Sequence, residues 1–389
     1  MKINEKKIVS IIGSTGSVGS SAIEIIKLHP DKFEVEFLVA QQNYLKLIQQ
    51  ALDIKPKKIY IENETHIDKL KSDLKDTGIM IYSGRESILN AIKDSQSEYL
   101  LIASSGTKTI EYFSLAIEYI KNIAIANKES IVCAWNVLRS KIDKFKPFII
   151  PVDSEHSSIF QIIHNNKPKN IKKLVITGSG GPFLDYDIKK LKDVTLEQAI
   201  NHPNWSMGKK ISIDSATFMN KALEFIEASY LFNLNQNDIE VLIHRQSIMH
   251  GGVSFVDGTF IGNFSYPSME IPIAYSLSFP DRILTNSQDI YLSKIKNLQF
   301  EELDEERFIS IKLAKKVLDY GGNYPTIFNI SNEIAVDYFI NKKISFINIL
   351  DVVKYSLDTI EYQAFSSIDE ILYCYEVISK QISQNIHKF

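Results

Sequence analysis

Three carboxylates in the middle of the chain have the type and spacing to hold a metal ion. Asp153 and Glu155 lie two residues apart after an apolar run that predicts a β-strand, so we expect both side chains on one side of the chain. Glu224 lies in a predicted helix, on the same face as Asn220 and Lys221. Carboxylate oxygens favour hard cations, so we expect Mg²⁺ or Mn²⁺, with Co²⁺ as a further candidate.

The same acidic residues also have an ordinary structural explanation. A solvated pair of loop acids, with an aspartate at a helix N-cap, would give this pattern without any metal. The spacing of Asp153 and Glu155 alone leaves both interpretations open.

Two glycine-containing segments fit a phosphate site and a loop that closes over it. Residues 178–182, Gly-Ser-Gly-Gly-Pro, follow a predicted strand, and their amides with the Ser179 hydroxyl suit a bound phosphate. Residues 202–208 combine His202, Trp205 and a glycine in a polar stretch, which is typical of a lid over a substrate. An ordinary glycine-rich turn and a packed surface loop are the alternatives.

The N-terminal segment has the pattern of a dinucleotide-binding turn. Residues 13–19, Gly-Ser-Thr-Gly-Ser-Val-Gly, follow a predicted strand and open a helix, where backbone amides can approach a pyrophosphate. The second strand ends in residues 40–43, Ala-Gln-Gln-Asn, and so lacks the carboxylate that binds the ribose of NAD. NADP is therefore favoured over NAD. A tight turn without any ligand is the alternative.

The elements that position these residues alternate in the first third of the chain. Apolar runs alternate there with amphipathic stretches, which predicts a parallel sheet. The predicted strands cover residues 8–12, 35–40, 58–61, 99–103, 123–126 and 148–152. From residue 153 the chain has glycine-rich loops, a helical segment at 215–232 and strand runs with a hairpin turn at Asp257-Gly258. The C-terminal part is helical, with a capping box at 367–370.

A chain of 389 residues is too long for a single hydrophobic core. We predict an α/β fold with a Rossmann-like N-terminal domain, a central mixed α/β domain that carries the catalytic loop, and a C-terminal helical bundle. The predicted boundaries are 1–152 for the nucleotide-binding domain, 153–279 for the central metal-binding domain, 280–304 for a linker and 305–389 for the helical domain.

Composition narrows the classes of protein. A formal net charge of -3 argues against a generally basic, nucleic-acid-binding surface. Cys133 and Cys374 lie far apart, which indicates neither a disulfide framework nor a thiolate zinc site and fits a reducing compartment. Apolar runs are too short to span a bilayer, and glycines interrupt the N-terminal one before a signal-peptide core could form. We expect a cytoplasmic protein with no nucleic-acid or membrane partner.

Together, the motifs resemble those of the 1-deoxy-D-xylulose 5-phosphate reductoisomerase family, in the same order along the chain. The segments that carry the resemblance are 13–19, 127–130 (Asn-Lys-Glu-Ser), 151–156 (Pro-Val-Asp-Ser-Glu-His), 178–183 (Gly-Ser-Gly-Gly-Pro-Phe), 202–208 (His-Pro-Asn-Trp-Ser-Met-Gly), 214–217 (Asp-Ser-Ala-Thr) and 220–224 (Asn-Lys-Ala-Leu-Glu).

The resemblance implies an NADPH- and metal-dependent enzyme of the non-mevalonate isoprenoid pathway. Its substrate would be a small phosphorylated ketose, 1-deoxy-D-xylulose 5-phosphate, which is rearranged and reduced to 2-C-methyl-D-erythritol 4-phosphate. The rearrangement is either a retro-aldol and aldol sequence or a direct alkyl shift. The resemblance also implies a homodimer, with the dimer contacts in the central domain.

The resemblance assigns roles to individual residues. It implies that Asp153, Glu155 and Glu224 hold the metal and form the catalytic set together with Lys128 and His202. The substrate-binding set that it implies consists of Ser154, Glu155, Ser179, His202, Trp205, Ser215, Asn220, Lys221 and Glu224. The cofactor-binding set consists of Thr15, Gly16, Ser17, Val18, Asn43, Asn127, Lys128, Glu129, Met207, Gly208 and Met269.

Some positions depart from the family's usual pattern. Gln41-Gln42 replaces a glycine followed by a basic residue, so we expect a weakened but not abolished preference for NADPH. Leu184 stands where an arginine often follows the Gly-Gly-Pro-Phe run, and Ser268-Met269-Glu270 replaces an Asp-Met-Arg pattern. The predicted metal ligands and phosphate contacts are unaffected.

Two other functions compete with this one. A metal-free semialdehyde-type dehydrogenase has a similar glycine-rich start but needs a thiolate near a base, and the surroundings of Cys133 in the sequence do not supply that setting. A non-catalytic dinucleotide sensor would need neither the three carboxylates nor the loop around Ser179.

Overall fold

The computed structural model describes residues 6–164, 166–205 and 207–389. The chain forms two compact units. The first runs up to Asn127 and also contains Leu138–Ser157 and Ser268–Gln288, whereas the second contains Lys128–Val137, Ser158–Pro267 and Asp289–Phe389. The division into domains at residues 152, 279 and 304 stays a prediction.

A seven-stranded parallel sheet forms the first unit. Its strands are β1 (Lys7–Ile12), β2 (Phe33–Ala40), β3 (Lys58–Ile61), β4 (Met80–Ser83), β5 (Tyr99–Ile102), β6 (Asn122–Ile125) and β7 (Phe148–Pro151). They lie in the order β4-β3-β2-β1-β5-β6-β7. The order reverses between β1 and β5, and the carboxyl ends of these two strands border the crevice where such sheets bind ligands.

A five-stranded mixed sheet forms part of the second unit. Its strands are β8 (Ile171–Gly178), β9 (Ile239–Ile243), β10 (Met249–Phe255), β11 (Phe260–Phe264) and β12 (Glu301–Glu302), in the order β11-β10-β8-β9-β12. Strands β8 and β9 are parallel, and the other pairs are antiparallel. The hairpin between β10 and β11 is confirmed: Gly258 has a φ of +89°, and the Asp257 side chain accepts from the Thr259 N–H at 2.9 Å.

The α-helices of the described ranges follow in chain order. They are α1 (Ser17–Leu28), α2 (Tyr44–Ile54), α3 (Ile67–Asp73), α4 (Arg85–Lys93), α5 (Thr109–Tyr119), α6 (Lys128–Phe145), α7 (Ser154–Ile163), α8 (Leu196–Ile200), α9 (Lys209–Ala216), α10 (Met219–Phe232), α11 (Glu270–Ser278), α12 (Ile309–Tyr320), α13 (Tyr324–Ile340), α14 (Asn348–Thr359) and α15 (Ile368–Asn385). Among these described helices, none combines the length and apolar character needed to cross a membrane.

The C-terminal helices share one hydrophobic core with the mixed sheet. Leu174 on β8, Phe225 on α10 and Phe328 on α13 are fully buried members of this cluster. The predicted capping box at the start of α15 is confirmed, with Ser367 and Glu370 each bonded to the other's backbone N–H. The predicted fold class is confirmed as a Rossmann-like parallel sheet, a second mixed sheet and a helical C-terminal part.

The helix predicted over residues 215–232 is interrupted, contrary to the prediction. α9 ends at Ala216, Phe218 adopts a left-handed φ of +63°, and α10 begins at Met219. At this end of α9 the Thr217 hydroxyl donates to the Ile213 carbonyl at 3.1 Å, beside the backbone bond from the Thr217 N–H at 2.9 Å. The break gives Ser215 and Lys221 separate helices, each with its own direction.

A buried carboxylate on β2 binds the segment that leads into β5, at the edge of the parallel sheet opposite its crevice. Glu36 on β2 accepts from the Ser95 hydroxyl at 2.9 Å, the Gln96 N–H at 2.8 Å and the Ser97 hydroxyl at 2.8 Å, just before β5 begins. Because its side chain is only 3% exposed, these bonds replace contacts with water. Glu36 therefore belongs to the scaffold and does not substitute for a ribose-binding acid.

We predict that Glu36→Gln lowers the free energy of unfolding by about 1–3 kcal/mol, because three donors lose a charged acceptor that is itself almost fully buried. Glu34→Gln on the same strand is the matched control. It loses a surface pair with Lys57 and should cost less than about 1 kcal/mol. Urea unfolding followed by circular dichroism measures both. Equal midpoints for the two variants would contradict the role of Glu36.

Candidate functional site

The glycine turn after β1 is held so tightly that two of its glycines cannot be replaced. Gly13 has a φ of +86°, and a Cβ there would lie 2.5 Å from the Ser104 nitrogen. A Cβ at Gly19 would lie 2.2 Å from the Gly13 carbonyl oxygen. At Gly16 the nearest such contact would be an ordinary 3.4 Å, so packing alone does not demand glycine there. A glycine at position 16 therefore needs a cause other than packing.

The same turn presents the N-terminus of α1 as an anion site. The N–H groups of Gly13 and Ser14 both donate to the Val39 carbonyl at 2.9 Å, which fixes the turn on β2. Gly16 occupies the N-cap, and no side chain among the described residues caps the helix. The amides of the first turn, from Ser17 onward, lack intrahelical acceptors and carry the positive end of the helix dipole. They suit a phosphate.

The end of β2 carries neutral side chains, as the sequence indicates. Gln41 and Gln42 are exposed, and the Asn43 side chain caps α2 by accepting from the Lys46 N–H at 3.1 Å. A 2′-phosphate at this end would meet no carboxylate from residues 40–43.

A loop that we did not predict completes the crevice of the first unit. Residues 104–106 follow β5, and the Asn127 side chain at the end of β6 donates to the Ser104 carbonyl at 3.1 Å. The loop could be recognised as part of the crevice only from the strand order, which places the end of β5 beside the glycine turn after β1. Asn127 thus lies at the edge where a dinucleotide binds.

The departures from the family pattern at Ser268 and Glu270 have a local structural role in the first unit. The Glu270 side chain, at the start of α11, accepts from the Asn286 N–H at 2.9 Å. The Ser268 hydroxyl lies 3.0 Å from that of Ser287. These bonds tie the segment around Met269 to residues 286–287.

Asp153 and Glu155 do not lie on a strand, so the strand-alternation argument for them was wrong. β7 ends at Pro151, and α7 begins at Ser154. Asp153 Oδ1 accepts from the Ser154 N–H at 2.9 Å, and the Ser154 hydroxyl contacts the Glu155 carboxylate. His156 Nδ1 lies 3.8 Å from Asp153 Oδ2. The acids therefore lie at a helix start, at the carboxyl edge of the parallel sheet.

Glu224 is a buried carboxylate surrounded by cationic and amide donors. Its side chain is 1% exposed, and Lys128 Nζ lies 3.5 Å from Oε1. Lys221 Nζ and the Asn220 side-chain amide also contact this carboxylate. The helical spacing of 220, 221 and 224 predicted this arrangement. Lys128, from the start of α6, could not be placed by spacing.

Sequence reasoning missed Glu227. Its Oε2 lies 3.3 Å from Lys128 Nζ, and its side chain is 5% exposed. It follows Glu224 by three residues on α10, so the two acids share a helix face. That spacing was the available signal.

The glycine loop after β8 lies against two of the predicted phosphate ligands. A Cβ at Gly181, which has a φ of +67°, would lie 2.8 Å from the Ser215 carbonyl oxygen. A Cβ at Gly178 would lie 3.2 Å from Lys221 Cε. The second unit thus brings the loop, Ser215 and Lys221 together, although α9 and α10 are separate helices.

His202 is held in one tautomer. Its Nδ1 accepts from the N–H groups of Asn204 and Trp205, each at 3.1 Å, so the proton of the neutral ring is on Nε2. Nε2 lies 3.0 Å from the Ser179 hydroxyl and donates to it. Burial, and then the charge of Lys221, lower the pKa of His202 to about 4. The ring is therefore neutral near pH 7.

The segment that carries His202 is anchored at its base. The Asn204 side chain donates to the Arg245 carbonyl at 2.7 Å and to the Ser247 hydroxyl at 2.8 Å. The Trp205 ring meets His250 edge-on, with centroids 6.0 Å apart. Met207 and Gly208 follow directly before α9, and Ser206 lies outside the described residues. We did not predict Asn204, because its partners lie some forty residues away.

The two cysteines are unsuited to nucleophilic chemistry. Burial raises the pKa of Cys133 well above its usual value, with the negative charges of Glu129 and Glu333 adding to the effect. Burial also raises the pKa of Cys374 to about 11. Since the thiolate is the nucleophile, a thiol-dependent dehydrogenase is disfavoured.

Three family models match most of the chain. They are 1-deoxy-D-xylulose 5-phosphate reductoisomerase over residues 9–135, the C-terminal domain of the same enzyme over 149–232, and a DXP reductoisomerase C-terminal domain over 264–380. The reductoisomerase of Sulfurihydrogenibium sp. is 41% identical over 377 residues, which cover 96% of each chain. That of Bacteroides thetaiotaomicron is 38% identical over 95% of each chain.

Solved structures agree with these matches. The Zymomonas mobilis 1-deoxy-D-xylulose 5-phosphate reductoisomerase in complex with NADPH superposes with a TM-score of 0.94 at 31% identity, covering 99% of this chain and 100% of that one. A DOX-P reductoisomerase with NADPH, fosmidomycin and magnesium superposes with a TM-score of 0.91 at 34% identity, covering 98% of each chain.

We predict that His202 titrates at about pH 4 instead of near 6.5, because the folded protein disfavours its charged form. Its contribution to stability is then present above pH 6.5 and is lost as the pH falls toward 4, where the unfolded chain binds the proton first. Nitrogen-15 NMR of labelled histidines, assigned with His202→Asn, measures the midpoint and the tautomer. A midpoint near 6.5, or a protonated Nδ1 at neutral pH, would refute the assignment.

Proposed function

We propose how the described residues carry out the reaction of the 1-deoxy-D-xylulose 5-phosphate reductoisomerase family, to which this chain belongs. The chain is an NADPH- and divalent-metal-dependent enzyme that converts 1-deoxy-D-xylulose 5-phosphate to 2-C-methyl-D-erythritol 4-phosphate. Among its own residues, one observation carries the proposal: Ser179, Ser215 and Lys221 come together in the second unit, where Lys221 also contacts the buried Glu224.

NADPH occupies the crevice of the parallel sheet in this proposal. The turn at Thr15, Gly16, Ser17 and Val18 contacts the pyrophosphate, with amides at the start of α1 as donors. The further cofactor contacts that we propose are Asn43, Asn127, Lys128, Glu129, Met207, Gly208 and Met269. The close packing at Gly13 and Gly19 supports this placement, because it fixes the turn before the ligand arrives.

Asp153, Glu155 and Glu224 are the proposed ligands of the divalent cation. Their oxygens fit Mg²⁺ and, by the same chemistry, Mn²⁺ or Co²⁺. The donors around Glu224 support this choice, since its carboxylate already attracts Lys128 and Lys221. When bound, such a cation polarises a carbonyl and acidifies a neighbouring hydroxyl, which favours breaking and re-forming a carbon–carbon bond.

The substrate phosphate is held by Lys221, Ser179, Ser215 and Asn220 in this proposal. The lysine supplies charge, while the hydroxyls and the amide supply direction. His202 donates to the substrate from Nε2, because its Nδ1 already accepts from two backbone N–H groups. Ser154 completes the set beside the metal ligands.

Residues 202–208 act as a lid over the bound substrate. Trp205 covers the site, and Lys128 lies between cofactor and substrate. Closing the lid would exclude water from the site. A bound NADPH would supply the hydride that reduces the rearranged aldehyde. Binding energy from the remote phosphate is available to drive that closure.

We further propose a homodimer formed through residues 153–279 and a cytoplasmic location, with no nucleic-acid partner. The resemblance to the family supports the dimer. The absence of a basic surplus, at a net charge of -3, supports the lack of a nucleic-acid partner.

We predict that NADPH oxidation with 1-deoxy-D-xylulose 5-phosphate requires Mg²⁺, and that Asp153→Asn, Glu155→Gln and Glu224→Gln each lower turnover by at least about 100-fold. That is the upper end of the loss caused by removing groups that merely support metal ligands. NADPH affinity, measured by fluorescence titration, should change little. Normal turnover of all three variants at limiting Mg²⁺ would overturn the metal assignment, and NADPH binding without turnover in the wild type would indicate a sensor.

We predict that Lys221→Ala lowers kcat/KM for the phosphorylated ketose by about 10- to 100-fold, because a charge-assisted contact to the phosphate is lost. The wild type should barely process the same sugar without its phosphate. The decisive quantity is the ratio of efficiencies on the two sugars. If Lys221→Ala impairs both sugars by one factor, the residue acts at the metal or in folding instead.

A further inference from the structure

Lys128 lies between two buried acids of the second unit. Its Nζ is 3.5 Å from Glu224 Oε1 and 3.3 Å from Glu227 Oε2. The lysine side chain is 16% exposed, and the two carboxylates are 1% and 5% exposed. Lys221, whose side chain is 6% exposed, contacts the opposite oxygen of Glu224. The cluster therefore holds two negative and two positive side chains away from water.

Such charges are stable only while each has a partner. Removing one member of a buried ion pair leaves an uncompensated charge, which is strongly destabilising. Glu224 contacts both lysines, so anything that engages Glu224 disturbs the pairing of both. Glu227 contacts Lys128 independently of Glu224.

A divalent cation would engage Glu224 in this way, on the proposed function on which this inference rests. The cation would then repel the ammonium groups of Lys128 and Lys221, and both lysines would lose their contact with Glu224. Lys221 can turn to the substrate phosphate. Lys128 has an acceptor already in place in Glu227.

We propose that Glu227 is a positioning residue that holds Lys128 while Glu224 binds the cation. It separates the ammonium from the metal and keeps it in the site, where it would lie between cofactor and substrate. In this proposal Glu227 acts through Lys128. Without the charge of Glu227, Lys128 shifts toward Glu224 and competes with the cation for it.

The test is a double-mutant cycle on cation affinity, measured with the full chain and Mn²⁺ alone as the probe. Electron paramagnetic resonance counts free Mn²⁺, so the readout does not depend on activity. Glu227→Gln is expected to weaken Mn²⁺ binding about tenfold, which corresponds to about 1.4 kcal/mol. In a Lys128→Met background the same change should alter the affinity less than about twofold, because coupled residues are non-additive.

Two outcomes would overturn the proposal. One is an unchanged affinity in Glu227→Gln. The other is the same tenfold loss in the Lys128→Met background, which would make Glu227 act on the cation directly. Glu227→Asp keeps the charge but shortens the side chain by one methylene, and it can replace Glu227→Gln in the cycle if that variant does not fold. Glu227→Asp is then expected to lose part of the Mn²⁺ affinity. A loss that disappears in the Lys128→Met background supports the proposal, and a loss that persists there refutes it.

Glu224→Gln separates this inference from the proposed function. If Mn²⁺ binds Glu224→Gln as tightly as the wild type, the metal assignment itself is wrong. If Glu224→Gln abolishes binding while the Glu227 cycle is additive, the metal assignment stands and only the role of Glu227 falls. Circular dichroism and urea unfolding on every variant check that the fold is intact.

Discussion

A buried carboxylate must be paired, and the second unit is arranged around the pairing of Glu224. Two lysines reach it from different helices, Lys128 from α6 and Lys221 from its own helix α10. The glycine at position 178 leaves room for the Lys221 side chain. The left-handed turn at Phe218 lets α10 start in a new direction after Ser215. Packing, backbone conformation and charge thus all serve one electrostatic requirement.

Local patterns were enough to predict most of the parallel sheet. Its central strands are apolar runs between turns, and the tight packing at Gly13 and Gly19 explains why the glycine pattern is so informative. Strand β4 escaped prediction although residues 79–82 are apolar, because the run is only four residues long. Met80 and Tyr82 are exposed, as befits a strand at the edge of the sheet. The sequence predicted that the strands are parallel but not their order in the sheet. The order depends on which distant segments pair, and no single segment encodes that.

The site was predictable where its residues share a helix or a loop. The face formed by Asn220, Lys221 and Glu224 follows directly from helical spacing. The strand-alternation argument failed for Asp153 and Glu155, because β7 ends at Pro151 and α7 begins at Ser154, so the two acids straddle the start of a helix. Asn204 was missed because its partner Arg245 is remote in sequence. Helical spacing places Glu227 on the face of Glu224, but its contact with Lys128 again joins residues that are remote in sequence. Only the tertiary structure brings such pairs together.

The burial of both cysteines has a practical consequence. Maleimide and iodoacetamide react with thiolates, and neither Cys133 nor Cys374 offers one to solvent at neutral pH. A cysteine introduced at exposed Lys209, directly after the proposed lid, would therefore be the one reactive thiol in an otherwise natural sequence. A single fluorophore attached there would test in solution whether residues 202–208 open and close as proposed, without removal of any native side chain from the core.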